Sequence, residues 1–227
     1  MLYIIDTANV EKIRHCMEYF PIAGVTTNPT IISKEKTDFL KLIKEIEEII
    51  GNDRMFHIQL TSNSAEHMIN EAKALRDIVG DNLYVKIPIS EEGLKATMHL
   101  HKEGFHITET AIFTQQQALM AAMAGADFVA PYVNRLDNII SDGVNVVSEI
   151  VELFTKYNLN TRVLAASFKT AEQVHKISMV GGHAVTVNPE ILDSLIYHPL
   201  TMYAIDDFKA DWEGVYGKKT ILDMIKE

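Results

Sequence analysis

The stretch "NLYVKIPIS", residues 82–90, is a short apolar run of the kind that forms a buried β-strand. Lys86 stands in the middle of this run. An unpaired ammonium is costly to bury, and a protein usually responds by shifting the pKa of the lysine toward the neutral amine. Because a neutral lysine is a nucleophile, this strand bears on the chemistry of the protein as well as on its fold.

Similar apolar runs recur along the chain and alternate with segments of helical periodicity. By subtraction, their centres lie about 21 to 35 residues apart, which is enough for one strand, one helix and their loops. Eight such units predict a (β/α)8 barrel. A doubly wound open sheet is the alternative fold, but "DTANVE" at residues 6–11 lacks the glycine-rich turn that usually marks it. The eight runs are centred near Ile4, Val25, Ile58, Val85, Ile107, Val129, Leu164 and Val185.

The length fits one domain, because α/β barrels commonly run to about 200–250 residues undivided. We therefore predict a single barrel domain over residues 1–227, in which residues 199–227 form a C-terminal helical extension beyond the eighth unit. Within this extension Met202, Ile205 and Phe208 suit one helical face.

Composition narrows the classes of partner. The 227 residues include 21 basic and 31 acidic side chains, which gives a net charge of −10. An acidic surface repels phosphate backbones, so we expect neither nucleic acid nor an anionic membrane as a partner, and any phosphate must bind locally. Cys16 is the only cysteine, so no intrachain disulfide can form. The absence of a signal pattern in "MLYIIDTANV" predicts a cytoplasmic protein.

Polar residues stand where the predicted strands end. Active sites of (β/α)8 barrels are built at the C-terminal ends of the strands, so a ring of polar side chains at this rim predicts a polar pocket. The residues at these positions are Asp6, Thr27, Asn28, Gln59, Lys86, Thr110, Tyr132, Ser167 and Asn188.

Each of these residues also has a purely structural interpretation. The stem of Lys86 could extend past the barrel and leave the ammonium in water. Asp6 could cap the following helix, and Tyr132 could simply pack with its hydroxyl satisfied. Arg135, three residues after Tyr132, could form a surface ion pair with Asp137 or Asp142. The remaining residues could satisfy backbone groups at the rim, as Gln59, Thr110 and Ser167 would. Their joint occurrence on one rim favours a functional site.

Five motifs stand in order over the whole length of the chain: "GVTTNPT", "YVKIP", "AGADFVAPYVNR", "VLAASFKT" and "DWEGVYGKKTI". With these motifs the chain closely resembles the small transaldolase family, especially its fructose-6-phosphate aldolase branch. The resemblance implies a metal-free class I aldolase on a (β/α)8 barrel, with no cofactor and a sugar phosphate as substrate. It also implies a homo-oligomer, a ring-based decamer that exchanges its C-terminal helices.

The resemblance assigns roles residue by residue. Lys86 matches the Schiff-base lysine, and Tyr132 matches the residue that transfers the proton in carbon–carbon cleavage. Asp6 matches the residue that positions this lysine. The remaining matches are Gln59 and Thr110 for the catalytic water, Asn28 with Thr27 for the substrate hydroxyls, and Arg135 with Ser167 for the phosphate.

Two positions distinguish the branches of the family. Transaldolases proper tend to carry a carboxylate in place of Gln59 and a phenylalanine in place of Tyr132, and they pass the three-carbon unit to a second aldehyde. Gln59 and Tyr132 therefore favour an aldolase that cleaves fructose 6-phosphate to dihydroxyacetone and glyceraldehyde 3-phosphate. Transaldolase is the alternative, and a non-catalytic barrel that binds a phosphosugar is a more distant one. Glu109 departs from the family pattern, and strand alternation predicts that it points away from the barrel interior.

Overall fold

The computed structural model describes residues 1–226, so Glu227, the last residue of the predicted extension, lies outside the described residues. The strands are β1 (Leu2–Asp6), β2 (Ile22–Thr26), β3 (Met55–Gln59), β4 (Leu83–Pro88), β5 (His106–Ile112), β6 (Phe128–Pro131), β7 (Arg162–Ala165) and β8 (Ala184–Val187). The helices are α1 (Val10–Tyr19), α2 (Pro29–Lys34), α3 (Phe39–Ile50), α4 (Ala65–Val79), α5 (Glu91–Lys102), α6 (Gln115–Ala124), α7 (Val133–Asp137), α8 (Gly143–Lys156), α9 (Ala171–Met179), α10 (Pro189–Ile196), α11 (Pro199–Tyr216) and α12 (Ile221–Lys226).

The eight strands form a closed parallel barrel in chain order, because β1 pairs with β8 as well as with β2. The predicted (β/α)8 fold is confirmed, and each predicted strand centre falls within an observed strand. Closure excludes the doubly wound alternative, whose sheet is open.

Apolar side chains fill the barrel from the inside and seal it from the outside. A buried cluster of Ile4, Phe128, Leu164 and Ala184 joins strands that are not all neighbours, so it crosses the interior. On the outside, the i, i+3, i+4 spacing of helix residues such as Ile43 and Ile46 buries one face against the strands. The packed interior leaves the rim as the place where polar side chains gather.

The chain divides into two compact units, Met1–Leu192 and the residues from Asp193 onward. The second unit contains the end of α10 with α11 and α12. Helix α11 begins with Pro199 at its first position, and the indole Nε1 of Trp212 donates a hydrogen bond of 2.7 Å to the Lys219 carbonyl. No residue of α11 is buried. None of the helices in the described residues is long and apolar enough to cross a bilayer.

Candidate active site

Lys86 lies inside the barrel near the end of β4. Its side chain is buried, with 5% of the residue exposed, and its Nζ donates a hydrogen bond of 2.9 Å to the main-chain carbonyl of Thr27. The lysine therefore does not extend to water, as its structural interpretation would require. Burial lowers the pKa of Lys86 below its ordinary value, while the negative charge of Asp6 opposes this shift.

Asp6 ends β1 and belongs to a chain of hydroxyl groups. The Thr26 hydroxyl donates to Asp6 Oδ1 at 2.7 Å and lies 2.6 Å from the Thr186 hydroxyl. The alternative that Asp6 caps α1 is wrong, because the side chain of Asn9 accepts the hydrogen bond from Lys12 N at that helix start. The linked hydroxyl groups of β2 and β8 therefore orient the Asp6 carboxylate.

Two of these hydroxyl residues, Thr26 and Thr186, were not among the predicted site residues. Thr186 interrupts the apolar strand "AVTV" at residues 184–187 in the same way that Lys86 interrupts its own strand. The pairing of Asp6 with Thr26 places the latter on the adjoining strand. A search for every polar residue within an apolar strand would have found both.

Thr27 and Asn28 link β2 to α2. Thr27 is fully buried, and its hydroxyl donates to the His57 carbonyl at 3.3 Å. Its own carbonyl receives the hydrogen bond of Lys86. The Asn28 side chain accepts from Ile31 N at 3.0 Å and caps α2, in which Pro29 takes a first-turn position.

Gln59 ends β3 and is paired with Lys86 on the neighbouring strand. It also lines a cavity of about 440 Å³. Apolar side chains of α2, α3 and α4, such as Ile32, Phe39 and Leu75, supply most of the walls, and Lys86 is not among the lining residues. We therefore place the candidate reaction centre at the mouth of the barrel, where the nucleophile lies, and not in this apolar cavity.

Thr110 lies on β5 and Tyr132 directly follows β6, and their side chains are in contact. The Thr110 hydroxyl lies 3.2 Å from the Tyr132 phenolic oxygen, and the Tyr132 ring packs edge-on against Phe113 at 5.5 Å between centroids. The register of the two strands shifts between Glu109 and Ile112, so β5 is irregular where it carries Thr110. The phenol is held by a hydrogen bond and by packing at the same time.

Arg135 lies in α7, the short helix that begins directly after Tyr132. Its guanidinium carbon is 4.5 Å from the centroid of the Tyr132 ring. The predicted alternative, an ion pair with Asp137 or Asp142, is absent within residues 1–226, where the five ion pairs found do not involve Arg135. Asp137 instead accepts hydrogen bonds from Gln173 and Gly143. The exposed guanidinium thus remains available to an anion.

Ser167 follows β7 beside the short helix that carries Arg135. Its carbonyl accepts a hydrogen bond of 2.9 Å from Asn134 N, which joins the two loops. Ser167 has a φ of 64°, a left-handed conformation that residues other than glycine rarely adopt. Such a conformation costs free energy and persists only when the surrounding structure holds it in place.

His57 is a further buried residue that the sequence predictions missed. It lies on β3, two residues before Gln59, with Nδ1 at 2.9 Å from the Thr108 hydroxyl and its ring stacked on Tyr84 at 4.6 Å. Burial and then the charge of Lys86 lower the pKa of His57 well below its ordinary value. The imidazole is therefore neutral, and it adds no second cation to the interior.

The arrangement combines a buried amine, a carboxylate, a positioned phenol and an exposed guanidinium on one rim. An amine of lowered pKa can attack a carbonyl carbon, and a phenol can transfer a proton. A guanidinium binds phosphate oxygens. Within residues 1–226, no cluster of three or more histidine, cysteine, aspartate or glutamate side chains could hold a metal ion.

Comparisons with known proteins agree on the family. The family model described as transaldolase/fructose-6-phosphate aldolase matches residues 3–221. A probable fructose-6-phosphate aldolase of Streptococcus pneumoniae is 38% identical over 222 residues, 97% of this chain and 100% of its own. A probable transaldolase of Thermoanaerobacter sp. is 42% identical over 212 residues, 93% of this chain and 97% of its own.

Solved structures of low sequence identity share the fold alone. A mutant flavocytochrome b2 with pyruvate bound aligns with a TM-score of 0.61 at 13% identity, over 83% of this chain and 57% of its own. The flavin-binding domain of baker's yeast flavocytochrome b2 aligns with a TM-score of 0.58 at 14% identity, again over 83% and 57%. Both alignments support the barrel and say nothing of the substrate.

Proposed function

Because the chain belongs to the transaldolase/fructose-6-phosphate aldolase family, we propose that it reversibly cleaves fructose 6-phosphate to dihydroxyacetone and glyceraldehyde 3-phosphate through a Schiff base. The observation that carries the proposal is the buried Lys86, whose Nζ is fixed at 2.9 Å from the Thr27 carbonyl. A barrel that only binds a phosphosugar has no need of an amine in an apolar strand.

Lys86 supplies the nucleophile. An ordinary lysine is roughly 0.04% free amine at pH 7, and the lowered pKa of Lys86 raises this fraction. The free amine adds to the C2 carbonyl of the ketose to give a carbinolamine, which takes up one proton and loses water to leave a protonated imine. The Asp6 carboxylate, whose charge acts on Lys86, stabilises this cation and orients the lysine.

Tyr132 transfers the proton during cleavage. When a base takes the proton of the C4 hydroxyl, the bond between C3 and C4 breaks and its electron pair moves into the imine as an enamine. Glyceraldehyde 3-phosphate leaves, C3 of the enamine is protonated, and water hydrolyses the imine to free dihydroxyacetone. The Thr110 hydroxyl, 3.2 Å from the phenol, orients it for both proton transfers.

The remaining rim residues bind the substrate and the water. Gln59 and Thr110 flank the strand that carries Lys86, which suits them to hold the hydrolytic water. Asn28, at the turn after β2, lies next to the Thr27 carbonyl that holds Lys86 and is placed to bind sugar hydroxyls. Arg135 and Ser167 lie on loops joined by a hydrogen bond from Asn134 and would bind the phosphate.

The aldolase branch rests on two side chains. A phenol at Tyr132 can protonate the enamine and so permit release of dihydroxyacetone, and the amide of Gln59 stands in place of the carboxylate that is typical of transaldolases. Transaldolase activity is the second candidate, because relatives of similar identity carry both names.

A comparison of product release with and without an acceptor aldehyde tests this choice. The purified protein is given fructose 6-phosphate alone, or with erythrose 4-phosphate, and free dihydroxyacetone is measured by chromatography. We expect dihydroxyacetone to appear at a similar rate in both mixtures. Release that requires the acceptor, with transfer of the three-carbon unit to it, would instead assign the protein to the transaldolases.

We also propose that the protein forms a homo-oligomer in which residues 199–227 pack on a neighbouring subunit, outside the single barrel domain. The barrel strands close without this segment. Several of its large apolar side chains are exposed, as for Leu200 at 70%, Phe208 at 71% and Val215 at 75%. Exposed apolar area of this kind is typical of a surface that associates with another chain.

A further inference from the structure

Glu109 is a fully buried carboxyl group to which the proposed mechanism gives no role. It lies on β5 with none of its surface exposed. Glu109 Oε1 accepts a hydrogen bond of 2.7 Å from the Thr97 hydroxyl on α5, so the side chain points out of the barrel, as the alternation of the strand predicted. Within residues 1–226, Glu109 Oε2 is buried without a hydrogen-bond partner.

Among the residues that the structure describes, no cation forms an ion pair with this carboxyl group. Its neighbours on the flanking strands are Ile87 and Val129, and the buried side chains of α5 around Thr97 are apolar. Helix α6 carries no charged side chain. The other titratable groups of α5 are exposed, except for Glu92, which accepts a hydrogen bond from Ala65 N. These groups are Glu91, Glu92, Lys95, His99, His101 and Lys102. Burial raises the pKa of Glu109 to about 7, against a smaller lowering by the Thr97 hydroxyl.

The strand is strained immediately after Glu109. Thr110 follows with its hydroxyl at 3.2 Å from the Tyr132 phenol, and Ala111 then has a φ of 58°. An alanine in this left-handed conformation persists only when the surrounding structure holds it there. Glu109 and Thr110 project to opposite faces of β5, so the attachment of Glu109 to α5 fixes the backbone from which Thr110 reaches Tyr132.

We propose that Glu109 is a positioning residue: its neutral carboxyl group, bonded to Thr97, holds β5 in the bulged path that places Thr110 against Tyr132, and ionisation of Glu109 releases that path. The charged form would lie in an apolar layer without a counter-ion, so the segment must shift toward water to solvate it. The inference rests on the proposed function, because the Thr110 that Glu109 positions orients Tyr132, the proposed proton-transfer residue.

Glu109→Gln tests the inference, since glutamine has the same shape and can accept the same hydrogen bond but cannot ionise. Release of dihydroxyacetone is measured from pH 6 to pH 8.5 for both proteins. If only the neutral carboxyl supports the reaction, the rate of the wild type relative to the variant falls about 30-fold over this range, from the ionised fractions of a group with a pKa of about 7. Glu152→Gln, at an exposed glutamate on α8, is the control and should keep the wild-type profile.

Thr97→Val gives a second test that does not depend on the folding of Glu109→Gln. The change removes the hydrogen bond that ties Glu109 to α5, so release of dihydroxyacetone should already be reduced at pH 6, where Glu109 is neutral in the wild type. The further loss at alkaline pH should move to higher pH, because the same bond lowers the pKa of Glu109. Wild-type release at pH 6 in Thr97→Val would contradict the inference, as would identical profiles for Glu109→Gln and the wild type. Borohydride with fructose 6-phosphate, applied first to the wild type, separates the two proposals. An adduct together with identical profiles overturns this inference alone, whereas the absence of an adduct overturns the proposed function and this inference with it.

Discussion

Replacement of Tyr132 by phenylalanine removes one oxygen atom and leaves the ring. The structure bounds the cost to folding, because the hydroxyl makes one hydrogen bond, at 3.2 Å to Thr110, while the contacts of the ring with Phe113 and Arg135 remain. Loss of such a bond costs about 0.5–1.5 kcal/mol of stability. A positioned acid or base instead contributes about 10²–10⁴-fold to rate, or roughly 2.7–5.5 kcal/mol of activation barrier.

The effect on stability and the effect on rate can be separated by measuring the melting temperature and the rate of dihydroxyacetone release of the same variant. We expect Tyr132→Phe to melt within a few degrees of the wild type and to release dihydroxyacetone about 10²–10⁴-fold more slowly. Borohydride should still trap a ketose on Lys86, since imine formation does not need the phenol. Dihydroxyacetone release that stays within a few-fold of the wild-type rate would refute the proton-transfer role and leave Tyr132 as a packing residue.

Three further predictions concern the phosphate site, the buried carboxyl group and the extension. In the synthetic direction, Arg135→Ala should lower kcat/KM with glyceraldehyde 3-phosphate by about 10–100-fold, the effect of a lost charge-assisted hydrogen bond, and leave kcat/KM with glyceraldehyde almost unchanged. An equal loss with both aldehydes would show that Arg135 has a structural role. The pKa of Glu109 is raised from 4.5 to about 7 in the folded protein, so the neutral form is the stabilised one, and stability should fall by up to about 3 kcal/mol between pH 4.5 and pH 7 relative to Glu109→Gln. Denaturant titrations across this range check the sign, which a parallel pH dependence in the two proteins would contradict. Deletion of residues 199–227 should give smaller particles in light scattering, and an unchanged assembly would refute the packing of the extension on a neighbouring subunit.

The fold was predictable because its signals are local. Each strand is a short apolar run, and the helices between them show their buried faces in sequence, as the spacing of Ile43, Ile46 and Ile50 does on α3. Eight repeats of one unit then leave few arrangements. The caps were less predictable, since both Asp6 and Asn9 stand before α1 and only the structure shows that Asn9 makes the capping bond.

The sequence predicted site residues only where a polar residue interrupts or ends an apolar run. The hydrogen bond from Lys86 to Thr27 joins residues 59 positions apart, and that between Thr26 and Thr186 spans 160 positions. Such contacts depend on barrel closure and leave no local pattern. The same holds for the neutral state of His57, which follows from complete burial, a property of the packed interior.

Borohydride trapping shows whether Lys86 forms a Schiff base with the substrate. Wild-type protein and Lys86→Met are incubated with fructose 6-phosphate and borohydride, and the intact mass and the peptide map are measured. Methionine fills much of the same volume without a buried charge, so the variant should keep its circular dichroism spectrum and its melting behaviour. We expect one adduct per wild-type chain, located on Lys86, and none in the variant. An adduct on another lysine, or one that persists in folded Lys86→Met, would show that Lys86 is not the Schiff-base lysine.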